Sequence, residues 1–198
     1  MEIIELIIDE ENMEFAGVEA ISVVDNPATE ELFVALNEQK KFEFKQVDKE
    51  KRLLMGCALV PNKPIYRLDP KTKKEFYVYF STETVRKASE MFFKESNQKN
   101  ATLEHDVKLK GMTVVESWIV EDATMDKSNL YGLEAPKGAW VISMKVDDLD
   151  VWENECKSGN VRGFSIEGYF ADSSKINHSQ EHQAQSKINE VIEYLKNN

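Results

Sequence analysis

Cysteine and histidine are scarce in this chain of 198 residues, with two copies of the first and three of the second. The cysteines, Cys57 and Cys156, each lack a second cysteine nearby, so a zinc site built from clustered cysteines is excluded. We also expect no disulfide between them, because a reducing cytosol keeps thiols reduced. The two cysteines therefore indicate neither a disulfide scaffold nor a structural metal.

Long apolar runs and an excess of positive charge are also missing. No stretch of about 18 apolar residues occurs, so the sequence contains no candidate transmembrane helix. Residues 1–5 lack the basic region of a signal peptide, and we expect the protein to remain in the cytosol of its host. The net charge of −11 argues against broad binding to nucleic acid, because Lys and Arg must neutralise the phosphates.

The sequence does contain a series of short strand patterns, and its apolar content of 41% is ordinary for a globular protein. A helix is predicted after Ser81, which can cap it, and a second short helix after Asp147 or Asp148. Together these elements predict a mixed, strand-rich α/β domain. Apolar, β-branched and aromatic content predicts strands at 2–8, 18–24, 52–60, 75–80, 101–109, 112–121, 139–146 and 161–170.

The predicted domain covers residues 1–170. Residues 171–186 have no apolar period and are predicted to form a polar linker. Residues 187–198 are predicted to form a C-terminal helix, because four apolar residues share one stripe.

Histidines are the first candidates for chemistry. His178 and His182 are four residues apart in the predicted linker, and with Glu181 they would bind a metal only if that segment were helical. We interpret them as solvated linker residues. His105 lies inside a strand pattern with an acidic residue on each side. A lone strand histidine is more often structural than catalytic, so the pattern alone leaves both roles open.

Ser165 is the second candidate, within the segment RGFSIEG at residues 162–168. Gly163 and Gly168 flank it, and glycine permits the close backbone approach that an enzyme uses for a substrate or an oxyanion. The spacing differs from the nucleophile elbow of hydrolases, because the second glycine comes one residue late and no helix follows. By spacing alone, Ser165 is an ordinary strand serine.

Six short segments follow one another along the chain: ISVVDNPA at 21–28, PIYR at 64–67, FYVYFS at 76–81, LEHD at 103–106, ESWIV at 116–120 and GFSIEGYF at 163–170. In this order they resemble the XkdF-like phage serine proteases, which are relatives of the prohead proteases. Each segment is weak alone, but six in the right order over residues 18–170 indicate the family.

The resemblance implies an assemblin-like β-barrel with surrounding helices, and a serine and a histidine on separate strands as nucleophile and base. Ser165 and His105 occupy the matching positions. The chain departs from the family pattern at Glu104, where the family has an asparagine, and at Glu167-Gly168, where it has a glycine. No metal or organic cofactor is implied.

The third member of the triad is implied by the same resemblance. In many prohead proteases the strand similar to ISVVDNPA follows the serine strand, so we infer a circular permutation here. The family acid then corresponds to Glu19, which needs a β-bulge to face the histidine. Glu167, close to Ser165, is the alternative, and Asp106 should point away from His105. The predicted triad is Ser165, His105 and Glu19.

These residues predict a maturation protease of the phage prohead. It would be a serine endopeptidase that cleaves scaffold and major capsid precursor proteins and itself, inside the prohead in the host cytoplasm. We expect self-association as well, and no nucleic-acid or membrane partner. The alternatives are a non-enzymatic scaffold or cargo protein of the phage head that retains the protease fold, and a small-molecule hydrolase. The presence of both His105 and Ser165 favours the protease, because a decayed enzyme need keep neither.

Overall fold

The computed structural model describes residues 2–9, 16–27, 45–48 and 51–176. Most predicted strands are present close to their expected positions. The strands are β1 (Glu2–Ile7), β2 (Gly17–Val24), β3 (Lys45–Asp48), β4 (Leu53–Leu59), β5 (Ile65–Leu68), β6 (Glu75–Phe80), β7 (Ala101–Leu103), β8 (Val107–Leu109), β9 (Met112–Ile119), β10 (Trp140–Val146), β11 (Gly163–Tyr169) and β12 (Ala171–Asp172).

The strands form three open sheets of four strands each, in the orders β12-β1-β6-β5, β3-β4-β10-β9 and β11-β2-β7-β8. The pairs β1–β6 and β2–β7 are parallel, and the other pairs are antiparallel. Within the described ranges no sheet closes on itself, because the two outer strands of each sheet do not pair with each other. The predicted assemblin-like β-barrel with surrounding helices is therefore wrong, although the chain is strand-rich.

The helices of the described ranges are few and short. The longest is α1 (Thr82–Lys94), which begins as predicted with the Ser81 hydroxyl accepting the Thr84 N–H at 3.3 Å. A second, α2 (Leu149–Val151), is capped by Asp148 and continues directly into a π-helical turn. These helices cannot surround a barrel. Instead α1 buries one apolar face against β2 and the core.

The centre of the molecule lies at β4 and β10, which are buried on both faces. Leu54, Ile142 and Met144 face the main core, which also contains Phe92 of α1. Met55 and Val141, on the opposite face, belong to a second apolar cluster. Burial on both faces explains why these two strands read as nearly continuous apolar runs.

Two predicted elements differ in the structure. The strand expected over residues 101–109 is a hairpin of β7 and β8 with a turn at residues 104–106. A further short strand, β12, lies past the predicted domain end at residue 170, and its Ala171 and Asp172 pair with β1. The predicted C-terminal helix and most of the predicted linker lie outside the described residues.

Candidate active site

The candidate site is built on the sheet β11-β2-β7-β8. Ser165 of β11 is the Cα partner of Ser22 in β2, and Ser22 is in turn the partner of Thr102 in β7. Phe164 and Ile166 pack into the main core. Side chains alternate along a strand, so Ser165 and Glu167 lie on the face of β11 opposite to Phe164 and Ile166. A row of three hydroxyl residues thus crosses one face of this sheet.

His105 lies in the turn between β7 and β8 and not within a strand. The Asp106 N–H donates to the Leu103 carbonyl at 3.0 Å, which closes a β-turn. Both central residues have positive φ, +50° at Glu104 and +61° at His105. Such turns usually contain Asn and Gly, because a side chain disfavours the left-handed region. The turn places the imidazole at the end of the sheet.

This turn is tied to the end of β2. The Glu104 N–H donates to the Val23 carbonyl at 3.1 Å, and the Glu104 carboxylate accepts the N–H of Asp25 at 2.6 Å. Asp25 also forms an ion pair with Arg162 over 2.7 Å. Three of the six motif segments, 21–28, 103–106 and 163–170, therefore meet at one end of one sheet.

The carboxylate that contacts His105 is Glu167. Its Oε1 lies 3.2 Å from Nδ1 of His105 and also accepts the hydroxyl of Thr102. A carboxylate oxygen accepts, so in the neutral imidazole this contact favours the tautomer with its proton on Nδ1 and its lone pair on Nε2. Glu167 is opposite Ala20 in β2, and that small side chain leaves room for the carboxylate to reach across to β7.

Ser165 is buried, with 8% of its surface exposed. Within the described ranges no hydrogen bond joins Ser165 to His105, and the two residues lie on opposite sides of Ser22. Ser165 borders a cleft of about 260 Å³ whose walls are mostly apolar, with Arg67 among its lining residues. The predicted contact between nucleophile and base stays a prediction.

Glu19, the predicted third member of the triad, lies at a bulge. Glu167 is opposite Ala20 and Gly168 is opposite Val18, which leaves Glu19 between two paired positions. The bulge that the sequence prediction required is therefore present. Among the described contacts, however, the Glu19 carboxylate makes none with His105, and Glu19 is exposed. The pairing of Glu167 with His105 could have been favoured from sequence, because alternation puts residues 165 and 167 on one face.

The glycines that flank the serine segment serve contacts within the chain. A Cβ on Gly163 would lie 2.6 Å from Cγ of Pro27. A Cβ on Gly168 would lie 2.0 Å from the carbonyl oxygen of Gly17, at the bulge. Both positions therefore require glycine for packing, so their presence does not by itself indicate a substrate site.

The cysteines do not supply an alternative nucleophile. Burial raises the pKa of Cys57 to about 12, and it raises the pKa of Cys156 to about 12 as well. Both thiols therefore stay protonated near neutral pH, whereas the thiolate is the reactive form. In the described part of the chain, no three His, Cys, Asp or Glu residues are grouped to hold a metal. His178 and His182 lie outside it.

A strand serine, a histidine and a carboxylate on its Nδ1 are the residue set that serine hydrolases use. A family described as putative phage serine protease XkdF matches residues 41–174. That is more than half of the chain, and the protein belongs to this family. The match includes β7, β8 and β11 but begins after β2. Comparisons with curated proteins and with solved structures gave no match. Among the described residues, no helix is long and apolar enough to cross a membrane.

Proposed function

We propose that this protein is the maturation protease of a phage head, a serine endopeptidase that cleaves precursor proteins during assembly. The observation that carries the proposal is the hydrogen bond between Glu167 and His105, on the sheet that also carries Ser165. Membership of a phage serine protease family supports the reaction class. The acid in this proposal is Glu167, and Glu19 remains the competing assignment.

In this mechanism, Nε2 of His105 takes the proton of the Ser165 hydroxyl as its oxygen attacks a peptide carbonyl. Backbone N–H groups stabilise the oxyanion, and His105 returns the proton to the leaving amine. Water then releases the acyl group by the same steps in reverse. Glu167 keeps the proton of His105 on Nδ1. The imidazole of His105 is half-exposed, and the mechanism requires its Nε2 to come within hydrogen-bond reach of Ser165 in the substrate complex, since catalytic contacts in unliganded enzymes are often loose.

The substrates in this proposal are the scaffold and major capsid precursors of the phage, with self-cleavage as a further reaction. The site of action would be the prohead, inside the host cytoplasm. Sequencing the termini of the cleaved precursors would locate the cleavage sites.

The test of the reaction is incubation of the purified protein with its capsid and scaffold precursors. Ser165→Ala and His105→Ala should each reduce cleavage by about 10⁴-fold or more, because members of a triad act as a unit. Ser143→Ala is a matched control, since Ser143 is also a buried strand serine but lies in another sheet. Cleavage by Ser165→Ala at the wild-type rate would show that the nucleophile is wrong.

One observation favours a second function, a non-enzymatic scaffold or cargo protein of the phage head. Ser165 is buried and makes no hydrogen bond to His105 among the described contacts. Such a protein would support particle maturation equally well with Ser165→Ala. Maturation of phage particles that carry this substitution therefore separates the two functions.

A further inference from the structure

Ser22 carries a buried polar side chain that the mechanism above does not use. It lies in the middle of β2 and is fully buried. Its Cα partners are Ser165 on one side and Thr102 on the other. A buried hydroxyl is nearly always hydrogen-bonded, so its partners show what this residue holds in place.

The Ser22 hydroxyl is bonded to the turn that carries the candidate base. The backbone N–H of His105 donates to Ser22 Oγ at 3.0 Å, and this hydroxyl donates its own hydrogen to the Thr102 carbonyl at 3.4 Å. His105 has a φ of +61°, a conformation that is costly for a residue with a side chain. Such a conformation persists when the surrounding contacts hold it.

We infer that Ser22 is a positioning residue that sets the place of His105 relative to Ser165. Its backbone is paired with the serine strand and its hydroxyl holds the histidine turn, so one residue connects both partners of the reaction. Glu167 holds the imidazole ring, whereas Ser22 holds the backbone from which that ring extends. The inference rests on the proposed function, in which Ser165 and His105 act as a pair.

The test uses the full chain and the variants Ser22→Ala and Ser22→Thr. Labelling of Ser165 by a fluorophosphonate reports its reactivity without a known substrate, and precursor cleavage gives kcat and KM. Ser22→Ala should slow labelling and reduce kcat by about 10- to 100-fold with little change in KM, because small misplacements of reacting groups cost this much. Ser22→Thr keeps the oxygen and should restore both rates.

Ser143→Ala measures the general effect of removing a buried serine hydroxyl. Ser143 is 1% exposed, and its hydroxyl donates to Glu116 at 2.5 Å in another sheet. All variants are compared at a temperature at which each remains folded, as judged by circular dichroism. We expect Ser143→Ala to label at the wild-type rate.

Hydrogen exchange of the His105 backbone amide is a second readout. It is needed because the methyl group that Ser22→Thr adds has to fit a fully buried site. Ser22→Ala should lose protection at this amide by at least about tenfold, since its acceptor is gone. Unchanged protection, or wild-type labelling and cleavage by folded Ser22→Ala, would overturn the inference alone. By contrast, a wild-type protein that neither labels at Ser165 nor cleaves precursors would overturn the proposed function.

Discussion

At the scale of single residues, the main question is which carboxylate contacts His105. Sequence resemblance favoured Glu19, which does lie at the bulge that this role required. The contact is made by Glu167, two residues after Ser165, and its path across β2 passes over Ala20. That path depends on a small side chain on a neighbouring strand, and a single sequence does not show which strands are neighbours. Motifs nominated the serine and the histidine, whereas for the acid the sequence left Glu19 and Glu167 as competing candidates.

Glu167→Gln should reduce cleavage by about 10³-fold or more, because an amide can no longer fix the proton of His105 on Nδ1. Glu19→Gln should leave cleavage within about threefold of wild type, since the Glu19 carboxylate does not contact His105 in the described structure. The measurement is kcat/KM for both variants on the same precursor. The reverse pattern, with only Glu19→Gln impaired, would support the permuted assignment from sequence.

The two cysteines should be unreactive in the folded protein. Because burial raises the pKa of both Cys57 and Cys156 to about 12, almost no thiolate is present at pH 8. Ellman's reagent should therefore modify both residues only after addition of denaturant. Iodoacetamide treatment of the native protein should also leave cleavage unchanged. Rapid modification of the native protein would mean that one of the two sites opens readily.

At the scale of elements, the local pattern was sufficient for most strands and for α1. It failed at residues 101–109, where a hairpin was read as one strand, because the turn is made by Glu104 and His105. These are not residues that usually mark a turn with positive φ. The barrel was predicted from resemblance, and the error concerns which strands pair. Pairing depends on contacts between distant segments, which the period of one strand does not contain.

The bulge between β2 and β11 gives a prediction about stability. Gly168→Ala should destabilise the protein by about 3 kcal/mol, because its Cβ would lie 2.0 Å from a backbone oxygen that cannot easily move. Gly163→Ala should cost less, about 1 kcal/mol, since its Cβ meets the ring of Pro27 at 2.6 Å. Urea denaturation of both variants measures the difference. Equal stability of Gly168→Ala and wild type would show that the bulge is placed wrongly.

At the scale of the whole molecule, the site depends on the meeting of distant segments. Residues 21–28 and 163–170 are far apart in sequence, yet they form adjacent antiparallel strands, and Ser22 and Glu167 of these strands hold the turn at 103–106. The cleft beside Ser165 takes residues from β1, β4, β5, β6 and β11, which belong to all three sheets. The candidate site therefore requires the assembled fold and cannot be contained in one supersecondary unit.

Truncation tests where that fold ends. Removing residues 177–198 should leave Tm within about 2 °C of the full chain, because the predicted polar linker adds little apolar surface to the core and separates the predicted C-terminal helix from the domain. Removing residues 171–198 also deletes β12, whose two residues pair with β1. The last residue is then Phe170, whose ring centroid lies 4.8 Å from that of Phe80. We expect Tm to fall by about 5 °C, because the loss of one to two hydrogen bonds lowers the free energy of unfolding and shifts Tm by about this much in a domain of this size. Differential scanning calorimetry of the two truncated chains measures this difference. If the chain that lacks only residues 177–198 unfolds, the C-terminal segment belongs to the core.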